Sequence, residues 1–321
     1  MKNKELNYFN KIKYQEKYIG SNKKNYFEGW YFKHQIGDKC ICIIPGISIV
    51  NKKEYAFIQV IDNITNKSYN IDYDIKYFKY NNNPFSIQIG NNYFSENKII
   101  LDIENSELKL KANVEYKNLT KITKSSYMPN IMGPFAYIPN MECNHCVISM
   151  FHNIRGNIVI NNNDINFNNG IGYIEKDYGT SFPKEYIWMQ ASKILKSDEK
   201  ISVFLAIADI PILKTNFKGL LCVILLNNIE YRFCTYNLSK ITKYIIKENE
   251  VNIKIKNKKL NLSININLSN GNVLKSPKLG SMENTVNECL NSQCEIKLYK
   301  NEKCIISESF ENVTSEIKVT K

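Results

Sequence analysis

Acids set among aromatic rings are the residues of this 321-residue chain best suited to chemistry. Tyr26-Phe27-Glu28-Gly29-Trp30-Tyr31-Phe32-Lys33 is one such stretch. Gly172-Tyr173-Ile174-Glu175-Lys176-Asp177-Tyr178-Gly179 is another, followed by Trp188-Met189-Gln190. Together they hold both tryptophans of the chain. A carboxylic acid in an apolar, ring-lined cavity can protonate an unsaturated ligand, and the rings can face the resulting cation. Read as strands, the segments alternate. Glu28, Trp30 and Phe32 share one face, with Phe27, Tyr31 and Lys33 on the other. Tyr173, Glu175 and Asp177 likewise lie opposite Ile174, Lys176 and Tyr178. Two acids at i and i+2 repel if both are buried and ionised, so one of them should hold a proton. Glu28 sits either at a solvated edge or in a ligand cavity, where desolvation favours its protonated form. An acid of the second segment can also turn to solvent at a bend, and either tryptophan can be plain core.

A third cluster is Met132-Gly133-Pro134-Phe135, then Met141-Glu142-Cys143-Asn144-His145-Cys146, then Ser149-Met150-Phe151-His152. It carries two of only three histidines; the third, His34, closes the first motif. A Cys-x-x-Cys enclosing a histidine suggests zinc. There is no second cysteine pair at finger spacing, and neighbouring strand residues point to opposite faces, so no metal is expected. A histidine paired with a buried carboxylate is the expected arrangement, and such a group can act as base toward a phenol.

The elements that must position these residues read as strands. Cys40 to Ile44, Ala56 to Ile61, Phe85 to Ile89, Ile99 to Ile103, Glu107 to Val114, Ile201 to Ile207, Leu220 to Leu225, Val251 to Ile255, Leu260 to Leu268 and Glu295 to Leu298 are short, β-branched or alternating. Asn, Gly and Pro clusters separate them. The best helical periodicity is at Met282 to Leu290. The expected fold class is all-β, as barrels or sandwiches. Residues 1–20 read as a polar lead-in. The Asn-rich run 161–169 reads as a seam between a first β-domain, 21–165, and a second, 166–321.

A net charge of +12 invites nucleic-acid binding, but the basic residues are almost all Lys, with Arg155 and Arg232 the only arginines. Base readout and phosphate clamping favour Arg, so no nucleic-acid partner is expected. A basic surface can still assist loose contact with anionic membranes, so a membrane-peripheral placement stays open. Met1 to Lys13 has no apolar run and does not read as a signal peptide. Asp209, Pro211, Lys214, Asn216 and Lys218 interrupt the most apolar region and exclude a spanning helix there. Nine scattered cysteines read as reduced thiols in a cytoplasm. Phosphate loops, dinucleotide fingerprints and nucleophile elbows are absent, which argues against nucleotide, NAD and acyl-enzyme chemistry.

The chain resembles the tocopherol cyclase family. The likeness rests on Tyr26 to Lys33, Ile43-Ile44-Pro45-Gly46-Ile47-Ser48, Ala56 to Val60, Met132 to Pro134, Met141 to Cys146, Ser149 to His152, Gly172 to Pro183 and Ile187 to Gln190. The Asp177 and Trp188 segment more faintly resembles carotenoid hydratases and related proteins with two lipocalin-like domains. The resemblance implies two calycin-type antiparallel β-barrels packed together. It also implies a cofactor-free reaction in which a prenylated quinol or phenol closes to a chromanol. On this reading Asp177 is the first choice for proton donor, with Glu28 or Glu175 as the second carboxylate. Trp30, Tyr31, Tyr173 and Trp188 line the cation site, and His145 or Gln190 orients the phenol. Lys33 and Glu142 complete the candidate substrate contacts. The alternative is a carrier of hydrophobic isoprenoids, which needs an apolar pocket but no buried acids.

Overall fold

The structure, a computed structural model, describes residues 8–212 and 215–319. Most of the polar lead-in before the helix α1 (Tyr8–Lys13), as well as Lys214, lies outside the described residues. Among the described residues twenty-two strands follow α1, all paired antiparallel where their register is given. The chain divides into two compact units, 1–182 with 274–285, and 183–273 with 286–321.

The first unit builds its sheet from β1 (Tyr26–Ile36), β2 (Lys39–Val50), β3 (Lys53–Asp62), β4 (Lys67–Asp74), β5 (Phe78–Asn82), β6 (Phe85–Ile89), β7 (Asn92–Ser95), β8 (Lys98–Glu104), β9 (Lys109–Thr120), β10 (Cys143–Ile160), β11 (Asn163–Asn166) and β12 (Gly170–Gly179). Their spatial order is β4-β3-β2-β1-β12-β10-β9-β8-β7-β6-β5, with β11 hairpinned onto β10. The first strand therefore pairs with the last. The two end strands are successive in the chain, joined by a single 3-10 turn, Ile75–Tyr77. The sheet thus curls into a nearly closed meander barrel. Alternation explains the filling: in β8, Ile99, Leu101 and Ile103 point inward while Lys98, Asp102 and Glu104 face water. Trp30, Phe32, Phe94 and Phe167 complete this core.

The second unit repeats the plan with β13 (Tyr186–Ile194), β14 (Lys200–Ile212), β15 (Thr215–Leu226), β16 (Ile229–Cys234), β17 (Lys240–Lys247), β18 (Glu250–Asn257), β19 (Leu260–Asn267), most of β21 (Ser281–Lys300) and β22 (Lys303–Lys318), while β20 (Asn272–Lys278) and the start of β21 run through the 274–285 stretch of the first unit. The order is β16-β15-β14-β13-β22-β21-β19-β18-β17, so first again pairs with last. A 3-10 turn, Thr235–Asn237, again joins the end strands. Ile, Leu and Val from alternate positions form its separate core.

Two expectations are corrected. Met282 to Leu290 is strand, not helix: it lies in β21, which pairs with β22 from Glu288 onward. Its alternation fails at the end, where Glu288, Cys289 and Leu290 are all buried and a register shift begins between Cys289 and Ser292. Nor do the units divide at 165/166, because β10, β11 and β12 all belong to the first sheet. The Asn-rich run is local turn chemistry. Asn161 and Asn162 take φ of 44° and 71° to turn β10 into β11, and Asn169 takes 68° before β12. Asn tolerates this left-handed backbone better than most residues.

Candidate active site

Register decides which acids can meet. On β12, Lys176 lies opposite Trp30, and Tyr178 opposite Glu28; these side chains share the inward face with Ile174. Tyr173, Glu175 and Asp177 point outward, with Tyr31 opposite Glu175 and Lys33 opposite Tyr173. From the other neighbour, β10, His145 stands opposite Asp177 on that same outward side. Glu28 and Asp177 are thus separated by the thickness of the sheet.

Outward, four side chains form a chain of contacts. The Tyr173 hydroxyl donates to Glu175 Oε2 at 2.6 Å. Glu175 Oε2 lies 3.4 Å from His145 Nε2, and His145 Nδ1 lies 2.7 Å from Asp177 Oδ1. Cys143 Sγ approaches Asp177 Oδ1 at 3.9 Å. Burial works against a charged imidazole, but Asp177, and after it Glu175, outweighs burial and lifts the His145 pKa to about 9. Burial, followed by the Glu175 charge, pushes the Tyr173 phenol well above its ordinary range. The Asp177 and His145 side chains keep 19% and 13% of their exposure, so neither is sealed from solvent. Gly179 matters locally. A Cβ there would strike the Glu142 carbonyl, so its absence lets β10 begin tight against β12.

The same outward face carries Tyr31, whose hydroxyl donates to Cys42 Sγ at 2.9 Å, and Lys33, which is buried. Two segments of the first unit lie over or beside this face. The stretch between β9 and β10 brings Met132 Sδ to the His145 amide at 3.3 Å. The stretch 274–285 exchanges hydrogen bonds with Gln59 through Lys275. The Glu142 side chain is exposed, while its carbonyl accepts from Thr180 and Ser181.

Inward, Glu28 has a different task. Its oxygens accept from the Ile19 and Gly20 amides, the Tyr26 hydroxyl and the Lys176 ammonium, the last at 2.6 Å. Lys176 also donates to the Lys17 carbonyl, and Trp30 Nε1 to the Glu16 carbonyl. Residues 16–20 are therefore strapped to side chains of the barrel interior. The structure gives Glu28 and Trp30 to this strap and does not bring them to the Asp177 cluster. Alternation alone placed Glu28 and Lys176 on definite faces, but only register could show that those faces coincide.

Trp188 and Gln190 belong to the second unit. There Trp188 stands between Ala206 and Glu316, and Gln190 Nε2 donates to Ser192 Oγ at 2.7 Å.

Cys143 and Cys146 cannot chelate one ion, because Cys146 stands opposite Lys176 on the inward side. His145, Glu175 and Asp177 offer ligand atoms within 4.8 Å of one another. The carboxylates, however, approach opposite edges of the ring. A single ion could use only one ring nitrogen, and would have to pull one carboxylate away from the other edge. The geometry suits holding a proton better than holding a metal.

An imidazole clamped between carboxylates on a meander barrel, in a chain with a second meander sheet, defines a protein of the two-domain lipocalin-like class. The chain belongs to the tocopherol cyclase-like family, whose model matches residues 131–318 and so includes His145, Glu175, Asp177 and Trp188. Solved structures with the same fold include CghA, at 6% identity and TM-score 0.58, covering 94% of this chain and 90% of that one. Kievitone hydratase from Nectria haematococca matches at 10% identity and TM-score 0.51, covering 92% and 89%. A protein designated AttH from Nitrosomonas europaea matches at 11% and 0.52, covering 99% and 98%. No curated protein matches the sequence.

Proposed function

We propose that the chain is a cofactor-free enzyme that closes a prenylated quinol or phenol to a chromanol by protonating an alkene. The observation that carries this reading is the His145 imidazole held between Asp177 and Glu175. With a pKa near 9, His145 keeps a mobile proton on the His145–Asp177 pair at neutral pH. Passed to Asp177, that proton becomes available to the ligand. The alkene π pair takes the proton, the phenol oxygen attacks the tertiary cation, and the phenol proton returns to the pair. Proton count is unchanged over a turnover, and the product is an isomer of the substrate. Tyr173 and Tyr31 supply rings on the same outward face as this pair. An apolar tail contributes roughly 0.8 kcal/mol per buried CH₂, enough to hold the substrate before ordering costs. The free state of all nine cysteines fits a reducing cytoplasm.

The test is incubation with a panel of prenylated quinols, reading for a product of unchanged mass. The wild type should produce it and Asp177→Asn should not, with tail-dominated binding retained. Equal ligand binding by both forms and no product from either would instead make the chain a carrier.

A further inference from the structure

We infer that α1 and the segment between β9 and β10 form one docking surface for an anionic lipid bilayer. The inference stands independently of the proposed reaction. Five large apolar side chains are exposed in these two short stretches: Phe9 at 70%, Tyr14 at 36%, Tyr127 at 61%, Tyr137 at 37% and Ile138 at 44%. The two stretches are tied together. Asn130 Nδ2 donates to the Ile12 carbonyl, and Lys124 Nζ to the Lys13 carbonyl at 3.3 Å. Tyr137 donates to the Ser126 carbonyl, which holds the Tyr127 turn beside it.

Charge selects the occupant. Lys13 and Lys17 place their ammonium groups 5.4 and 4.6 Å from the Tyr14 ring centre, and Lys124 joins them through the Lys13 carbonyl. The acids in these stretches are Glu16 and Glu142. Tyrosines with lysines beside them suit the interface, where rings sit among head groups and ammonium groups meet lipid phosphates. The surface also adjoins the chemistry, since the covering segment runs straight into Cys143 and His145. A greasy ligand could leave the bilayer close to the acid pair.

Sedimentation of the full chain with vesicles tests the inference. Phosphatidylglycerol vesicles should carry the protein down, phosphatidylcholine vesicles far less, and added salt should release it. Lys13→Glu/Lys17→Glu/Lys124→Glu should weaken binding by roughly a hundredfold, and Tyr127→Ala/Ile138→Ala by about tenfold. Lys254→Glu/Lys256→Glu/Lys297→Glu makes the same change in net charge on exposed positions of the second unit and should leave most binding intact. Melting curves verify that each variant is folded. Equal loss in both charge variants would mean that net charge alone binds, and would overturn the assignment. So would absence of sedimentation with either lipid, or self-association of the wild type abolished by Tyr127→Ala/Ile138→Ala without vesicle binding.

Discussion

In the proposed reaction Asp177 and His145 act as a pair, so they should fail in different ways. Asp177→Asn keeps the shape of the side chain but cannot pass on a proton, and turnover should drop by about 10² to 10⁴ with little change in ligand affinity. Glu175→Gln removes one of the two charges that lift His145. Below about pH 9 the pair is protonated, so wild-type activity should fall as pH rises through that value. In Glu175→Gln the fall should begin about one pH unit lower or more. An unmoved alkaline limb would show that Glu175 does not act through His145. Because Cys143 and Cys146 point to opposite faces of β10, protein purified without chelator should carry no stoichiometric zinc. Metal analysis finding one zinc per chain, lost in Cys143→Ser, would sink that expectation.

At the scale of elements, β1 and β12 place one acid system on each side of a single sheet. Lys176→Met would leave the Glu28 carboxylate buried without its cation, costing about 3 to 5 kcal/mol in urea unfolding. Adding Glu28→Gln should restore much of that loss; no recovery would mean that the strap, not the ion pair, sets the cost. These strands also show how far the sequence could be read. Two-residue alternation correctly grouped Glu28 with Trp30 and Glu175 with Asp177, because it depends only on the chain itself. Which faces coincide depends on register between β1, β12 and β10, and no residue type in those strands encodes it. The helix reading of Met282 to Leu290 failed for a related reason. Glu288, Cys289 and Leu290 are all buried where a register shift against β22 begins, which hides the two-residue period, and only the partner strand reveals the shift. The Asn-rich run was conspicuous in composition, yet a left-handed hairpin turn and a domain seam draw on the same residues.

At the scale of the whole molecule, the first barrel hides the other two histidines. His34 Nε2 lies 2.7 Å from the Tyr116 hydroxyl, and the Tyr116 ring packs 4.6 Å from that of His152. Gly172 has no Cβ, which leaves room for the His152 ring. Burial drives the His34 pKa down to about 4 and the His152 pKa to about 3, so both are neutral in the native state. In the unfolded chain they take up protons below about pH 6.5. Their contribution is therefore intact above that pH, and is lost as pH falls toward 4 and then 3. Each should add up to about 1.4 kcal/mol per pH unit to the slope of stability. Denaturant midpoints measured across this range should flatten in His152→Gln; an unchanged slope would place acid sensitivity elsewhere.

Pairing first strand to last has a consequence for synthesis. β1 leaves the ribosome early, but its partner β12 follows only after ten further strands. Until then the unpaired edge of β1, rich in Phe, Trp and Tyr, is open to any other extended chain nearby. Closure must also bring together residues far apart in sequence, which slows folding. A nascent chain stalled after β10 should therefore aggregate or engage a chaperone, and release of the segment through Gly179 should end that exposure. The strand that carries Asp177 is then also the clasp that retires the molecule's most adhesive edge.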